Sequence, residues 1–199
     1  MLYLSGKIDS RLFNITNIGF LRNINTGNII PLDQIWAVDS GCFSNKGFSW
    51  IRYHEWLLKR INLGCIFATI PDVVGNAKET IEAFNKYKDL FKWISNRLAF
   101  CAQDGLEDLE IPWAEFTTLF IGGTTGWKLS DTVKSIIKEA QIKGKKVHIG
   151  RVNSLKRMKH FAELQVDSVD GTNIAFAPDI NIPKILRWIN KINEEYYSI

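Results

Sequence analysis

Short apolar runs that each close on a polar or glycine-containing turn, alternating with stretches of helical periodicity, predict an α/β protein built on parallel strands. The runs are Ile35–Gly41, Cys65–Asp72, Leu98–Gly105, Leu119–Gly123, Lys146–Gly150 and Asp167–Gly171. The residues that close the strands, Asp39, Asp72, Gln103, Gly123, Gly150 and Asp170, stand 20 to 33 positions apart, which leaves room each time for a crossover and its helix. Every run also ends in a residue able to bind or react. An open sheet makes only the strand ends at its switch point functional. The pattern therefore predicts a closed TIM (β/α)8-type barrel, whose strand ends converge on one axis. At 199 residues it has to be compact and irregular, with trimmed or missing helices.

Taken in order, Leu2–Gly6 supplies a first strand, and Gly19–Arg22 or Ala175–Ala177 a remaining short one. The polar, turn-rich Asn14–Pro31 stretch reads as irregular. Trp50, Ile51, His54, Leu57, Leu58 and Ile61 recur at spacings of three and four, as do Ala77, Ile81, Phe84, Tyr87 and Phe91, so a helix is predicted in each interval. Ser130 is a suitable N-cap for a helix carrying Val133, Ile136, Ile137 and Ala140, with Gly144 ending it. Leu155–Leu164 and, after a first-turn proline, Pro183–Tyr197 complete the set.

The chain is 46% hydrophobic and 23% charged and has no Ser/Pro/Gly-rich linker, so residues 1–199 are expected to form a single domain. Its apolar runs fall far short of the about 18 residues that span a bilayer, and Met1–Ser10 lacks a secretory pattern. A soluble, cytoplasmic protein with no membrane contact is expected. Cys42, Cys65 and Cys101 are odd in number and widely spaced, which excludes a disulfide scaffold and a CxxC zinc knuckle. They read as reduced, packed thiols.

Asp39, after Trp36-Ala-Val and before Ser40-Gly, puts a carboxylate at the mouth beside a turn where a substrate can come close. An Asx turn or a helix cap is the alternative. Asp72 follows Pro71, and Gln103 ends another run ahead of Asp104. A carboxylate beside a carboxamide offers an acceptor and a donor, which suits the Watson–Crick edge of a purine better than a metal. Gly122-Gly123 allows backbone N–H groups to face a ligand, cradle a phosphate or simply make a tight turn. Asp170 is a second acid at a strand end. Two carboxylates from different strands are what a nucleophile and a separate acid/base require.

No metal is expected. His54, His148 and His160 lack HxH, HExxH or HxxxH spacing with a carboxylate partner, and His148 reads as a hydrogen-bonded core residue. Neither Gx4GK[ST] nor a strand-linked GxGxxG occurs, so no nucleotide cofactor is implied either.

Net charge is only +4, but its placement is uneven. Lys143, Lys145, Lys146, Arg151, Lys156, Arg157 and Lys159 fall between Ala140 and Ala162 with no Asp or Glu among them. That segment suits a phosphodiester backbone, a solvated helix face being the plainer explanation for Lys156 and Lys159. Trp113, Trp127 and Phe48 are candidates to stack on an extruded base, or are core aromatics.

In order, Asp39-Ser-Gly-Cys-Phe-Ser, Pro71-Asp72, Gln103-Asp-Gly, Gly122-Gly123 and Val169-Asp170-Gly resemble the tRNA-guanine transglycosylase superfamily. The nearest likeness is to its DNA-modifying branch, the 7-deazaguanine DNA transglycosylases of phages and bacterial modification clusters. The likeness covers roughly residues 35 to 173. It implies a glycosyltransferase (pentosyltransferase) that cuts guanine from a polynucleotide and installs a 7-deazaguanine, without a cofactor. By that resemblance Asp170 is the nucleophile and Asp39 the acid/base, with Ser40, Asp72, Gln103, Gly122 and Gly123 at the base. Lys145, Lys146, Arg151, Lys156 and Arg157 would then hold the nucleic acid.

The chain departs from the family in three places. It has nothing to match the zinc-binding subdomain of the tRNA enzymes, Cys42 replaces a second glycine, and Gly-Thr follows Asp170. The missing subdomain points to DNA as the partner and, if phage-encoded, to the host cytoplasm. A tRNA-directed enzyme, a non-catalytic nucleic-acid-binding barrel in a modification complex, and a sugar-phosphate barrel are the other readings, and a homodimer is compatible with each.

Overall fold

The computed structural model describes residues 1–25, 31, 33–42, 48–61 and 64–197. Eight parallel strands pair in sequence order: β1 (Leu2–Ser5), β2 (Ile18–Arg22), β3 (Trp36–Val38), β4 (Cys65–Thr69), β5 (Leu98–Ala102), β6 (Thr118–Ile121), β7 (Lys146–Ile149) and β8 (Ser168–Gly171). β1 also pairs with β8, Leu4 opposite Asp170, and this closes the barrel. Of the two candidates for a remaining strand, Gly19–Arg22 lies in β2. Ala175–Ala177 instead belongs to a helical turn and its cap.

Around the barrel lie α1 (Trp50–Arg60), α2 (Ala77–Tyr87), α3 (Thr125–Lys128), α4 (Asp131–Ile142), α5 (Leu155–Glu163), α6 (Asn173–Phe176) and α7 (Pro178–Tyr196). Economy comes from the connections. Between β1 and β2 the chain makes only the 3-10 turn Ser10–Leu12, and between β5 and β6 only the 3-10 turns Leu106–Asp108 and Trp113–Glu115. Ser130 caps α4 through Val133 N–H, and Gly144 follows that helix with φ +70°. The last helix begins earlier than its apolar spacing indicates. Pro178 occupies the first-turn position, and Pro183 lies inside the helix.

The strands separate two cores. Leu98, Phe100 and Ala102 of β5 pack outward against the helices, while Ala99 and Cys101 point inward to meet Leu4, Ala37, Phe67 and Phe120. Both faces are therefore apolar, which is why these strands read as unbroken hydrophobic runs. The fit inside is tight at Gly19. A Cβ there would stand 2.8 Å from the Ile35 carbonyl oxygen and 2.8 Å from Leu4 Cδ2. Gly19→Ala is expected to destabilise the fold by about 1–3 kcal/mol through overpacking, read as a lower midpoint in denaturant unfolding. Among the described residues, no helix is long and apolar enough to cross a membrane.

Candidate active site

All eight strands run the same way, so their C-terminal ends share one face, and a cavity opens there. Side-chain alternation fills it. Starting from inward-facing Ala37, Cys101 and Ser168, a period of two brings Asp39, Gln103 and Asp170 into the opening. Asp72 joins them from beyond β4, and the exposed Arg151 and the buried Lys128 also line the cavity. The cavity measures about 230 Å³. That is below the roughly 300 Å³ at which sites for drug-sized ligands begin, and fits one flat heterocycle.

Asp72 and Gln103 form a unit. The Gln103 Oε1 accepts the N–H groups of Gly75 and Gly123, both at 2.9 Å, which turns its Nε2 toward Asp72 Oδ2. Two backbone donors thus fix the amide's orientation. The Cys42 thiol donates to the other Asp72 oxygen at 3.2 Å. Burial raises the Asp72 pKa, while these donors and the charge of Arg151 oppose the rise.

Asp39 accepts the Gly41 N–H at 2.9 Å. Burial pushes its pKa up to about 6, the Gly41 N–H pulls it back, and the nearby charges of Asp72 and Asp170 add to the rise. A carboxyl tuned to that range can exchange a proton near neutral pH.

Asp170 is held at both oxygens. Its Oδ1 accepts the Arg151 N–H at 3.1 Å, and its Oδ2 lies 3.1 Å from His148 Nε2. One hydrogen shared between Nε2 and Oδ2 ties the ring to the carboxyl group. The ring's Nδ1 is 2.8 Å from Ser168 Oγ, and its faces meet Phe67 and Phe120 with centroids 5.0 and 4.6 Å away. Arg151 takes φ +60°, an unusual conformation for a residue with a Cβ, and in it presents its N–H to Asp170. His148 is thus a hydrogen-bonded core residue, as its sequence position indicated, and it also positions the carboxylate. In β7 it is in phase with cavity-lining Gly150, a signal available from alternation alone. If the site turns over a substrate, His148→Leu is expected to lower that turnover about a hundredfold while leaving the KM unchanged. A parallel rise in KM would mark general damage to the cavity instead.

Several expected contacts lie elsewhere. Ser40 is one position out of phase with Asp39 and turns into the wall. Its N–H donates to Thr69 Oγ1 at 2.8 Å and its hydroxyl accepts the Cys42 N–H, so Ser40 does not line the cavity. Gly122 and Gly123 do line it, but their N–H groups are committed to Ala102 O and Gln103 Oε1. Their lack of side chains serves packing. A Cβ on Gly122 would come within 2.5 Å of Gln103 Nε2, and one on Gly123, at φ +64°, within 2.5 Å of Trp127. Asp104 accepts from the Thr124 N–H and hydroxyl, away from the cavity.

The basic segment divides because β7 runs through the middle of it. Arg151, Lys156 and Arg157 follow the strand and lie toward the mouth. Lys145 and Lys146 precede it and so stand at the opposite end of the barrel. There Lys145 donates to Phe116 O at 2.8 Å and Lys146 pairs with Asp167 at 2.8 Å. Lys159 pairs with Glu195.

The three aromatic candidates are also engaged. Trp127 donates to Glu107, Trp113 packs on Phe116, and Phe48 packs on Trp50 and Tyr53. The three cysteines are free and buried. Among the described residues no three His, Cys, Asp or Glu side chains gather to hold a metal ion. No protein-family model matches the chain, and no curated protein matches it.

Proposed function

We propose that the chain is a DNA guanine transglycosylase, a compact (β/α)8-type barrel that lacks the zinc-binding subdomain and replaces guanine in DNA with a 7-deazaguanine. The observation that carries this reading is the meeting of Asp39, Asp170 and the Asp72–Gln103 unit around one cavity of heterocycle size. Asp72 faces the N1–H and 2-amino donors of the base, and Gln103, with one Nε2 hydrogen still to give, faces its 6-oxo acceptor.

Asp170 attacks C1′ of the extruded nucleotide. A carbon–oxygen ester bond forms as the C1′–N9 bond breaks, and the electron pair leaves on N9 of guanine, which Asp39 protonates. After the bases exchange, the Asp39 carboxylate takes the N9 proton of the incoming base. N9 then attacks C1′, and the Asp170 carboxylate departs. Two displacements at one carbon return the starting configuration, as in retaining glycosidases. The mouth-side cations Arg151, Lys156 and Arg157 suit the phosphates on either side of the extruded nucleotide.

The test is incubation with DNA, and in parallel with tRNA, in the presence of a labelled 7-deazaguanine. Label in DNA and not in tRNA is expected. Label confined to tRNA would redirect the same chemistry to RNA. Salt-sensitive DNA binding with no base release would leave a binding barrel.

A further inference from the structure

The aromatic side chains that the sequence offers for stacking are engaged within the protein, yet another ring projects from the mouth face. Phe176, the last residue of α6, is 84% exposed. Among the described residues the only large apolar side chain more exposed is Ile142, which ends α4 at the opposite end of the barrel.

The chain itself ties Phe176 to the site. Asp170 stands near the end of β8, Thr172 lines the cavity, and α6 begins at the next residue, Asn173. Three extended steps from Asp170 to Asn173 and three helical ones to Phe176 span at most about 15 Å. That is roughly four base steps of a nucleic-acid strand, each rising about 3.4 Å. The ring is therefore within reach of the nucleotides next to the one whose C1′ meets Asp170.

α6 is also held still. The Thr172 N–H donates to Asn153 Oδ1 at 2.8 Å, Asn173 Nδ2 to Asn153 O at 3.0 Å, and Asn181 Nδ2 to Asn173 O at 2.8 Å. These bonds fasten α6 to the loop beyond β7 on one side and to α7 on the other. Ile174, fully buried, anchors the same turn. An exposed ring on a fixed backbone makes its contacts without first having to be ordered.

Charge identifies what crosses it. The loop to which α6 is fastened carries Arg151, and Lys156 and Arg157 follow in α5. On the other side, beyond β1, Lys7 and Arg11 balance Asp9 and Asp179, so no net acid turns a polyanion away. Phosphates gathered on the first group bring nucleobases over α6, where an apolar ring meets the face of a base.

Resting on the transglycosylase reading, we infer that Phe176 is a wedge that enters the DNA stack beside the target guanine as that base leaves it. Extruding a base opens a gap in the stack and costs the contacts on both of its faces. A phenyl ring set into that gap replaces part of the lost contact and holds the duplex open. Its contribution is therefore to a paired target, and an unpaired strand needs little of it.

The experiment measures entry of a labelled 7-deazaguanine into one oligonucleotide, presented as a duplex and as a single strand, by the wild type, Phe176→Ala, Phe176→Trp and Ile142→Ala. Phe176→Ala is expected to lose about thirtyfold in kcat/KM on the duplex and less than about threefold on the single strand. Phe176→Trp should retain duplex activity, and Ile142→Ala should match the wild type on both substrates. An equal loss on the two substrates, no loss on the duplex, or a wild type that labels only the single strand overturns the inference and leaves the transglycosylase reading intact. Sedimentation tests the other occupant of this face. Self-association that Phe176→Ala abolishes while duplex activity stays unchanged gives the ring to a second copy of the chain and also overturns the inference. Failure of the wild type to label either form of DNA overturns both.

Discussion

Asp170→Asn is expected to abolish base exchange, with a loss of about ten-thousandfold or more, and to leave no denaturation-resistant protein–DNA adduct. Asparagine keeps the size of the side chain but has no anionic oxygen with which to form the ester at C1′. The neighbouring structure should tolerate the change, because the amide oxygen can still accept from His148 or Arg151. Circular dichroism and DNA affinity should therefore stay near wild type. An adduct that persists in Asp170→Asn would assign the nucleophile elsewhere, and Asp39 and Asp72 are the other acids at the cavity.

Asp39→Asn is expected to slow exchange by about a hundredfold to ten-thousandfold and to remove the acid limb of its pH profile. In the wild type that limb lies near pH 6, where the Asp39 carboxyl titrates. Below it the group is protonated and cannot take the N9 proton of the incoming base, so the rate falls as pH falls. Stability moves the other way. The folded-state pKa of about 6 lies above the ordinary 3.8. The native protein therefore favours the protonated carboxyl and loses stability as pH rises from about 4 to about 6. Asparagine mimics the protonated form, so the variant should be more stable than wild type at pH 7 by about 3 kcal/mol, with the difference largely gone near pH 4. Paired urea titrations at the two pH values measure it. A variant less stable than wild type at pH 7 would mean that the Gly41 hydrogen bond to the carboxylate outweighs its burial.

β5 was legible because it is buried on both faces and apolar along its whole length, Leu98–Ala102. The positions of Asp39, Asp72, Gln103 and Asp170 followed from the strand ends, and all four line one cavity. Ser40 was misplaced by attending to its motif when alternation already excluded it: neighbours on an extended chain face opposite ways, so it cannot share the direction of Asp39. The basic segment misled for a different reason. Residues close in sequence are far apart in space when a strand runs between them, and Lys146–Ile149 carries the chain about 13 Å from one end of the barrel to the other. The commitments of the Gly122 and Gly123 N–H groups depend on Gln103, some twenty positions earlier, and no local pattern encodes them. Lys128 ends the four-residue α3, too short to show a period that would aim it at the cavity, so only the folded chain reveals it.

Three carboxylates, of Asp39, Asp72 and Asp170, and three cations, of Arg22, Lys128 and Arg151, line the same cavity. Charges of both signs so close together leave its interior near balance, so a free anion or cation gains little by entering. An uncharged ring rich in N–H groups and acceptors finds a partner of either kind, and on the reading proposed above the hole thereby favours a nucleobase over the phosphates that flank it.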